Sequence, residues 1–285
     1  MPKAPAKCQW ITLKDALATF AGTTSGHQGS GHIRPLHWYV ACRLVIEGGF
    51  HPEEITPRPP FVVREKGRRM VLEHEPASAG GGERTVLGGL KTKIVDVVVA
   101  KEGIGPVVAV SVKGTLGAFR NLTNRMEEAV GDCTNLHISY PALVYGFLQV
   151  LKATREGPGV EPNDAALRAS GDVSDFVSRY HDVLSRLAGR SDVRNDVTKY
   201  EAVALVLASP EKSSLGDILE AYPPPNSPLL IQGFFDRIFR QYEQRFIFAA
   251  PGLEPTTRRL EWDPSSPVLE DRRAAAYEPR VAAQG

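Results

Sequence analysis

Cysteine is scarce and scattered: Cys8, Cys42 and Cys133 are odd in number, far apart and never arranged as C-x-x-C. This excludes a disulfide framework and a cysteine-built zinc site, and leaves buried or free thiols. No run of about eighteen apolar residues occurs, as a membrane-spanning helix requires. Met1 to Trp10 also lacks the apolar stretch of a secretory signal. The expectation is a cytoplasmic protein with no membrane partner. A dominant charge is missing too, because 34 Lys/Arg against 33 Asp/Glu leave a net charge of +1. The chain as a whole therefore exerts little pull on phosphates. His27, His32, His37 and His51 form neither H-x-H nor H-E-x-x-H, so their spacing indicates no histidine-built metal centre. Gly88-Gly-Leu-Lys91-Thr92 lacks the Gly-Lys-Ser/Thr order of a phosphate loop, and no G-x-S-x-G elbow surrounds Ser111. Nucleotide hydrolysis and serine acyl transfer are thereby set aside. Internal repeats are absent as well.

What is present suits a globular chain: 285 residues, 42% hydrophobic and 24% charged. That length supports one main α/β domain with appendages. We assign residues 1–250 to this domain and its core to about 36–150. Residues 251–285, rich in Pro, Arg and Glu, are expected to form an extended arm or a disordered tail. The near-zero net charge hides a gradient. Residues 1–70 carry ten Lys/Arg against five Asp/Glu, including Arg64, Lys66, Arg68 and Arg69. A metal-dependent enzyme acting on phosphates needs such a mixture, with carboxylates for cations and cations for phosphates.

Periodicity places a helix over Leu13–Phe20, a loop over Gly22–His32 and a helix over Leu36–Glu47, where Gly48-Gly49 supplies a stop. Phe61–Val63 reads as a strand and 77–83 as a mobile loop. The β-branched runs Ile94–Val99 and Val107–Val112 read as a hairpin. Further elements are a helix from about Ala118 to Val130, a strand over Ala142–Leu151 broken by Gly146, a helix over Phe176–Leu187, a strand over Ala202–Ala208 and a helix over Leu229–Phe246. Arg190-Ser-Asp-Val-Arg194 reads as a solvated loop.

The hairpin concentrates the chemistry. With its turn centred between Ile104 and Gly105, residues whose numbers sum to about 209 oppose one another, which sets Asp96 across from Lys113 with Ser111 on the same face. A polar Asp-Ser-Lys face within two apolar strands is costly unless it binds something or pairs internally. Phosphodiester hydrolysis needs a cation at the transition state, an activated water and a group that orients it. Asp96 would hold Mg²⁺ through hard oxygen, and Lys113 would sit beside the water and the phosphate. A second carboxylate is needed, and the following helix offers Glu127 and Glu128.

Val95-Asp96 followed by Ser111-Val112-Lys113 resembles the PD-(D/E)xK nuclease superfamily, whose acid starts one strand and whose acid-x-Lys lies on the next. Val95 replaces the nominal proline and Ser111 the second acid. In this respect the chain is similar to a branch of type II restriction endonucleases that has S-x-K on the strand and its acid on the following helix, about fourteen residues after the lysine. That count reaches Glu127. The resemblance implies a restriction-endonuclease-like fold, a central mixed β-sheet flanked by helices. It also implies Mg²⁺-dependent, sequence-specific cleavage of double-stranded DNA to 5′-phosphate and 3′-hydroxyl ends. The enzyme is expected as a homodimer, with a tetramer as the other assembly of that branch. Glu47 best matches the branch's upstream metal-associated glutamate, with Glu53, Glu54, Glu73 and Glu75 competing for the role. Ser111 belongs to the catalytic set by the same resemblance.

Arg120, Asn121, Asn124 and Arg125 open the helix after Lys113. Such side chains read bases, clamp phosphates or simply solvate a helix start, and the sequence leaves all three open. One alternative is a repair or junction-resolving nuclease with the same centre; a rival class is a non-catalytic DNA-binding or assembly protein in which Asp96, Lys113 and Glu127 form a structural ion-pair cluster.

Overall fold

The computed structural model describes residues 6–23 and 30–283. Most of the predicted loop over Gly22–His32, His27 included, lies outside the described residues. Two long apolar runs set the centre of the molecule. In β8 (Val144–Lys152) every residue but the last is buried, and in β9 (Ala202–Ala208) all are. Runs of this kind belong to parallel strands covered on both faces. They join β1 (Ile55–Thr56), β6 (Val97–Lys101) and β7 (Gly105–Thr115) in a five-stranded sheet of order β1-β6-β7-β8-β9. The β1/β6 and β6/β7 pairs are antiparallel, whereas β7/β8 and β8/β9 are parallel. The molecule is an α/β fold with a mixed central sheet flanked by helices.

Alternation along the strands divides the interior. Val108, Val110, Leu148, Val150, Ala204 and Val206 face one cluster, packed by α1 (Leu13–Ala21), α2 (Arg34–Ile46) and α5 (Phe234–Glu243). Ala109, Tyr145, Phe147, Val203 and Leu205 face the other, packed by α3 (Leu122–Ser139) and α4 (Asp175–Leu187). Gly146 does not break β8. A Cβ there would lie 2.9 Å from both Ile238 and Phe234, so the glycine lets α5 approach the sheet. Two ribbons stand outside the sheet, β2 (Phe61–Lys66) with β3 (Arg69–His74) and β4 (Arg84–Leu87) with β5 (Thr92–Val95).

Residues 251–283 are neither extended away from the body nor separate from its core. Trp262, Val268, Ala274 and Tyr277 are buried in the α2-side cluster. The Trp262 indole donates to Val45 O and Ile46 O at 3.2 and 3.0 Å. Arg259 donates to Gly48 O at 2.6 Å and to Glu47 O at 3.0 Å. The segment thus satisfies carbonyls at the α2 C-terminus that a helix leaves without partners. Among the described residues no helix is long and apolar enough to cross a membrane.

Candidate active site

The hairpin forms, but its register differs from the expectation. Val97 pairs with Val110 and Val99 with Val108, a sum of 207, and a bulge follows between Val99 and Ala100. The cause is the turn, which closes through Ile104 N–H to Lys101 O and uses left-handed Gly103 and Gly105. A shift of two preserves the faces of the strands, so Asp96, just before β6, extrapolates to a position across from Ser111 rather than Lys113. The long lysine side chain still brings the pair together. Lys113 Nζ lies 3.4 Å from Asp96 Oδ2, and the same oxygen accepts the Val112 N–H at 2.8 Å.

Two further residues arrive from other elements. Pro35 lies in the first turn of α2, which begins at Arg34, and two residues on is buried His37, with Nε2 3.8 Å from Asp96 Oδ1. That separation is too long for a hydrogen bond, and the nitrogen, sealed from solvent, has no hydrogen-bond partner among the described residues. Glu83 comes from the lead-in to β4. The β4/β5 register pairs Arg84 with Val95, and one more step sets Glu83 across from Asp96. His37, Glu83 and Asp96 each offer a ligand atom within 4.8 Å of the others. They share an open recess of about 360 Å³ with Lys113.

Electrostatics prepares these donors unequally. Burial lowers the pKa of His37, with Lys113 and Arg34 adding to the shift and Asp96 opposing it, so the imidazole stays neutral and able to ligate. Partial desolvation, then Asp96, raises Glu83, while Lys113, Arg34 and Lys93 pull it back. An imidazole with two carboxylates fits a divalent first-row cation such as Mn²⁺ better than Mg²⁺, which prefers oxygen alone.

Other expected site residues lie elsewhere. Ser111 is 2% exposed, and its hydroxyl is engaged with Tyr145 Oη at 2.8 Å, so it does not reach the recess. Glu127 is exposed and lines neither the recess nor the smaller cleft beside it. The buried stripe of α3 runs through Met126, Ala129, Cys133 and Leu136, which turns Glu127 about 140° away at 100° per residue. Glu128, also exposed, is the one of the two that borders the cleft. It lies 3.7 Å from Lys93 and lines the small cleft with Lys113, Arg125 and Asp132. Glu47 also leaves the metal set: ten residues beyond His37, it is about 15 Å farther along α2. There it pairs with Arg43 and accepts the Glu278 N–H at 3.0 Å. Its competitors are engaged too, Glu53 by Arg58, Glu54 by Lys101, Glu73 by Arg64 and Glu75 by the Ala77 N–H.

Arg120, Asn121 and Asn124 are exposed at the start of α3. Arg125 is half-buried in the cleft beside Lys113, with its Nε unpaired. Sequence reasoning missed Glu83 and His37. The alternation of 84–87 and 92–95 about Gly88-Gly89 was a readable ribbon that would have led from Asp96 to Glu83; His37 had no comparable local signal.

Comparison with protein-family models, curated proteins and solved structures finds no match to this chain. The functional reading rests on the geometry of the site.

Proposed function

We propose that the chain is a divalent-cation-dependent endonuclease that hydrolyses phosphodiesters in double-stranded DNA. The observation that carries this reading is the convergence of His37, Glu83 and Asp96 on one open recess, with the Lys113 ammonium beside them. A cation in that recess supplies charge neutralisation at the scissile phosphate and makes a nearby water more acidic.

The protein's own groups then divide the work. Asp96 is held in place by the Val112 N–H and turns its second oxygen toward His37, which anchors the donor set. Glu83, at the rim, completes it. Lys113 is about one-third exposed, so it reaches both Asp96 and the opening, where it neutralises a phosphate oxygen and orients the attacking water. Arg120, Asn121 and Asn124 present polar and cationic groups at the start of α3 for the phosphate backbone and base edges. By resemblance, we take the enzyme to be a cytoplasmic, sequence-specific restriction endonuclease that leaves 5′-phosphate and 3′-hydroxyl ends. A two-fold duplex calls for a homodimer. The expected Mg²⁺ remains a candidate activator, but the His37 nitrogen favours Mn²⁺.

Supercoiled plasmid incubated with Mn²⁺ or Mg²⁺, beside an EDTA control, tests the proposal. Nicked or linear DNA that disappears with chelator supports hydrolysis, and discrete fragments from a long substrate support sequence specificity. Intact but retarded DNA would overturn catalysis. It would favour the binding-protein reading, in which the Asp96–Lys113 contact is only a structural ion pair.

A further inference from the structure

The far end of α2 borders a second concavity that the nuclease reading does not use. It encloses about 490 Å³, within the range of about 300–1,000 Å³ common for small-ligand sites. The β2–β3 turn, the residues after α5 and the C-terminal segment form its walls. Arg259 is a fixed part of the wall, tied to the α2 carbonyls and to Glu243 at 2.7 Å. Arg280 stands beside it, sharing Glu243 at 3.8 Å and reaching Glu261 at 3.2 Å. Its Nε is sealed from solvent without a hydrogen-bond partner among the described residues. Burial, then the neighbouring Arg280, lowers the Arg259 guanidinium to about 10, a sign that positive charge is crowded here.

Arg69 is paired with Asp263 at 3.4 Å. By contrast, Arg68 and Arg258 are exposed at the cavity and make no ion pair among the described residues. Phe248 lines the same cavity while 75% exposed, which leaves a ring face open to a planar ligand. Glu254 adds a carboxylate without an ion pair among the described residues.

We propose that this cavity binds a nucleoside phosphate. Its phosphoryl oxygens lie among Arg68, Arg258 and Arg280, and its base lies against Phe248. Guanidinium groups match phosphate oxygens geometrically, and a base stacks on an aromatic face without sequence preference. The carboxylates argue against a bare anion, which they would repel, and for a ligand that also carries donors. Glu254 accepts from base amino or sugar hydroxyl groups. The same chemistry comes from a free nucleotide or from the phosphorylated end of a DNA strand. The proposal stands independently of the endonuclease reading.

Calorimetric titration of the full chain in EDTA separates the two sources, using ATP, a 5′-phosphorylated tetradeoxyadenylate and inorganic phosphate as probes. Saturable ATP binding that weakens on the order of tenfold in Arg68→Ala/Arg258→Ala and in Phe248→Ala, but not in Asp96→Asn, supports a free-nucleotide site. Binding of the oligonucleotide alone with the same dependence supports a strand-end site. Arg68, Phe248 and Arg258 are exposed, whereas Asp96 is buried, and unchanged melting temperatures confirm that all the variants fold. No saturable binding of either ligand at millimolar concentration would overturn the proposal. So would wild-type affinity in the double variant, or inorganic phosphate binding as tightly as ATP.

Discussion

Asp96 uses its two oxygens differently. Oδ2 is occupied by the Val112 N–H and Lys113, while Oδ1 faces a buried imidazole nitrogen that has no hydrogen-bond partner among the described residues. A buried polar atom left unsatisfied costs about 1–3 kcal/mol, and a cation between the two groups removes that cost. Asp96→Asn is therefore expected to lower plasmid cleavage on the order of a thousandfold, the upper end for loss of one electrostatic group. Glu83→Gln should weaken Mn²⁺ binding, and Glu127→Gln should leave both rate and binding within about twofold, as for most exposed substitutions. A loss in the Glu127 variant with none in the Glu83 variant would restore the helical acid and remove Glu83. The pH dependence follows from the two shifts. Glu83 titrates above its ordinary 4.5, so protons displace the cation as pH falls through that raised value, earlier than for a free carboxylate. His37 titrates below its ordinary 6.5 and stays a ligand into mildly acidic solution. Mn²⁺ affinity measured by calorimetry should fall as the pH is lowered through the raised Glu83 value, with proton uptake as the metal leaves. Affinity unchanged down to pH 4.5 would contradict this donor set.

At the scale of elements, one buried network shows what holds the α3–α4 side together. Glu201, at the edge of β9, accepts from Arg190 at 2.9 Å, from Arg245 at 2.7 Å and from the Tyr145 N–H at 2.7 Å, with His137 3.6 Å away. Burial opposes its ionisation, but these partners keep its pKa below the usual value. The segment 190–194, read as a solvated loop, thus supplies a buried guanidinium through Arg190. Glu201→Ala leaves two cations without their carboxylate and should destabilise the fold by about 3–5 kcal/mol, read from urea denaturation; a loss below about 1 kcal/mol would show that the network is dispensable. Such long-range partners could not be read from local sequence, whereas the elements that carry them could. β9 and α4 were legible because continuous apolar runs and 3.6-residue spacing are local properties. The Asp96–Lys113 contact was legible for the same reason, since face parity survives a two-residue slip. Glu83 was missed because the glycine-rich stretch before its ribbon reads as a mobile loop, although the β4/β5 pairing itself is readable. Glu127 lies off the site by helical phase, because Met126, Ala129, Cys133 and Leu136 set the buried stripe of α3 and Glu127 points about 140° from it.

For the whole molecule, the decisive feature is the descent of residues 251–283 onto α2. Their composition, rich in Pro, Arg and Glu, gives no periodic signal, yet Trp262 is fully buried and bonded to the last turn of the helix. The Leu260 N–H also donates to Gly49 O at 2.7 Å, and the Arg280 N–H to Ile46 O at 2.9 Å. A chain ending at residue 250 would expose this side of the core and leave several α2 carbonyls without donors. Each such buried acceptor costs about 1–3 kcal/mol, and a Trp→Ala change alone costs about 3–5 kcal/mol. Together these rival the total stability of a typical domain, about 5–15 kcal/mol. The truncated chain should therefore lose its cooperative melting transition, and Trp262→Ala should melt well below the parent. Because the other end of α2 carries His37, Mn²⁺ binding should disappear with the fold in the truncated chain. Circular dichroism and calorimetry on the same samples check both. A truncated chain that melts cooperatively within a few degrees of the full chain and still binds Mn²⁺ would show that the C-terminal segment is dispensable for positioning α2.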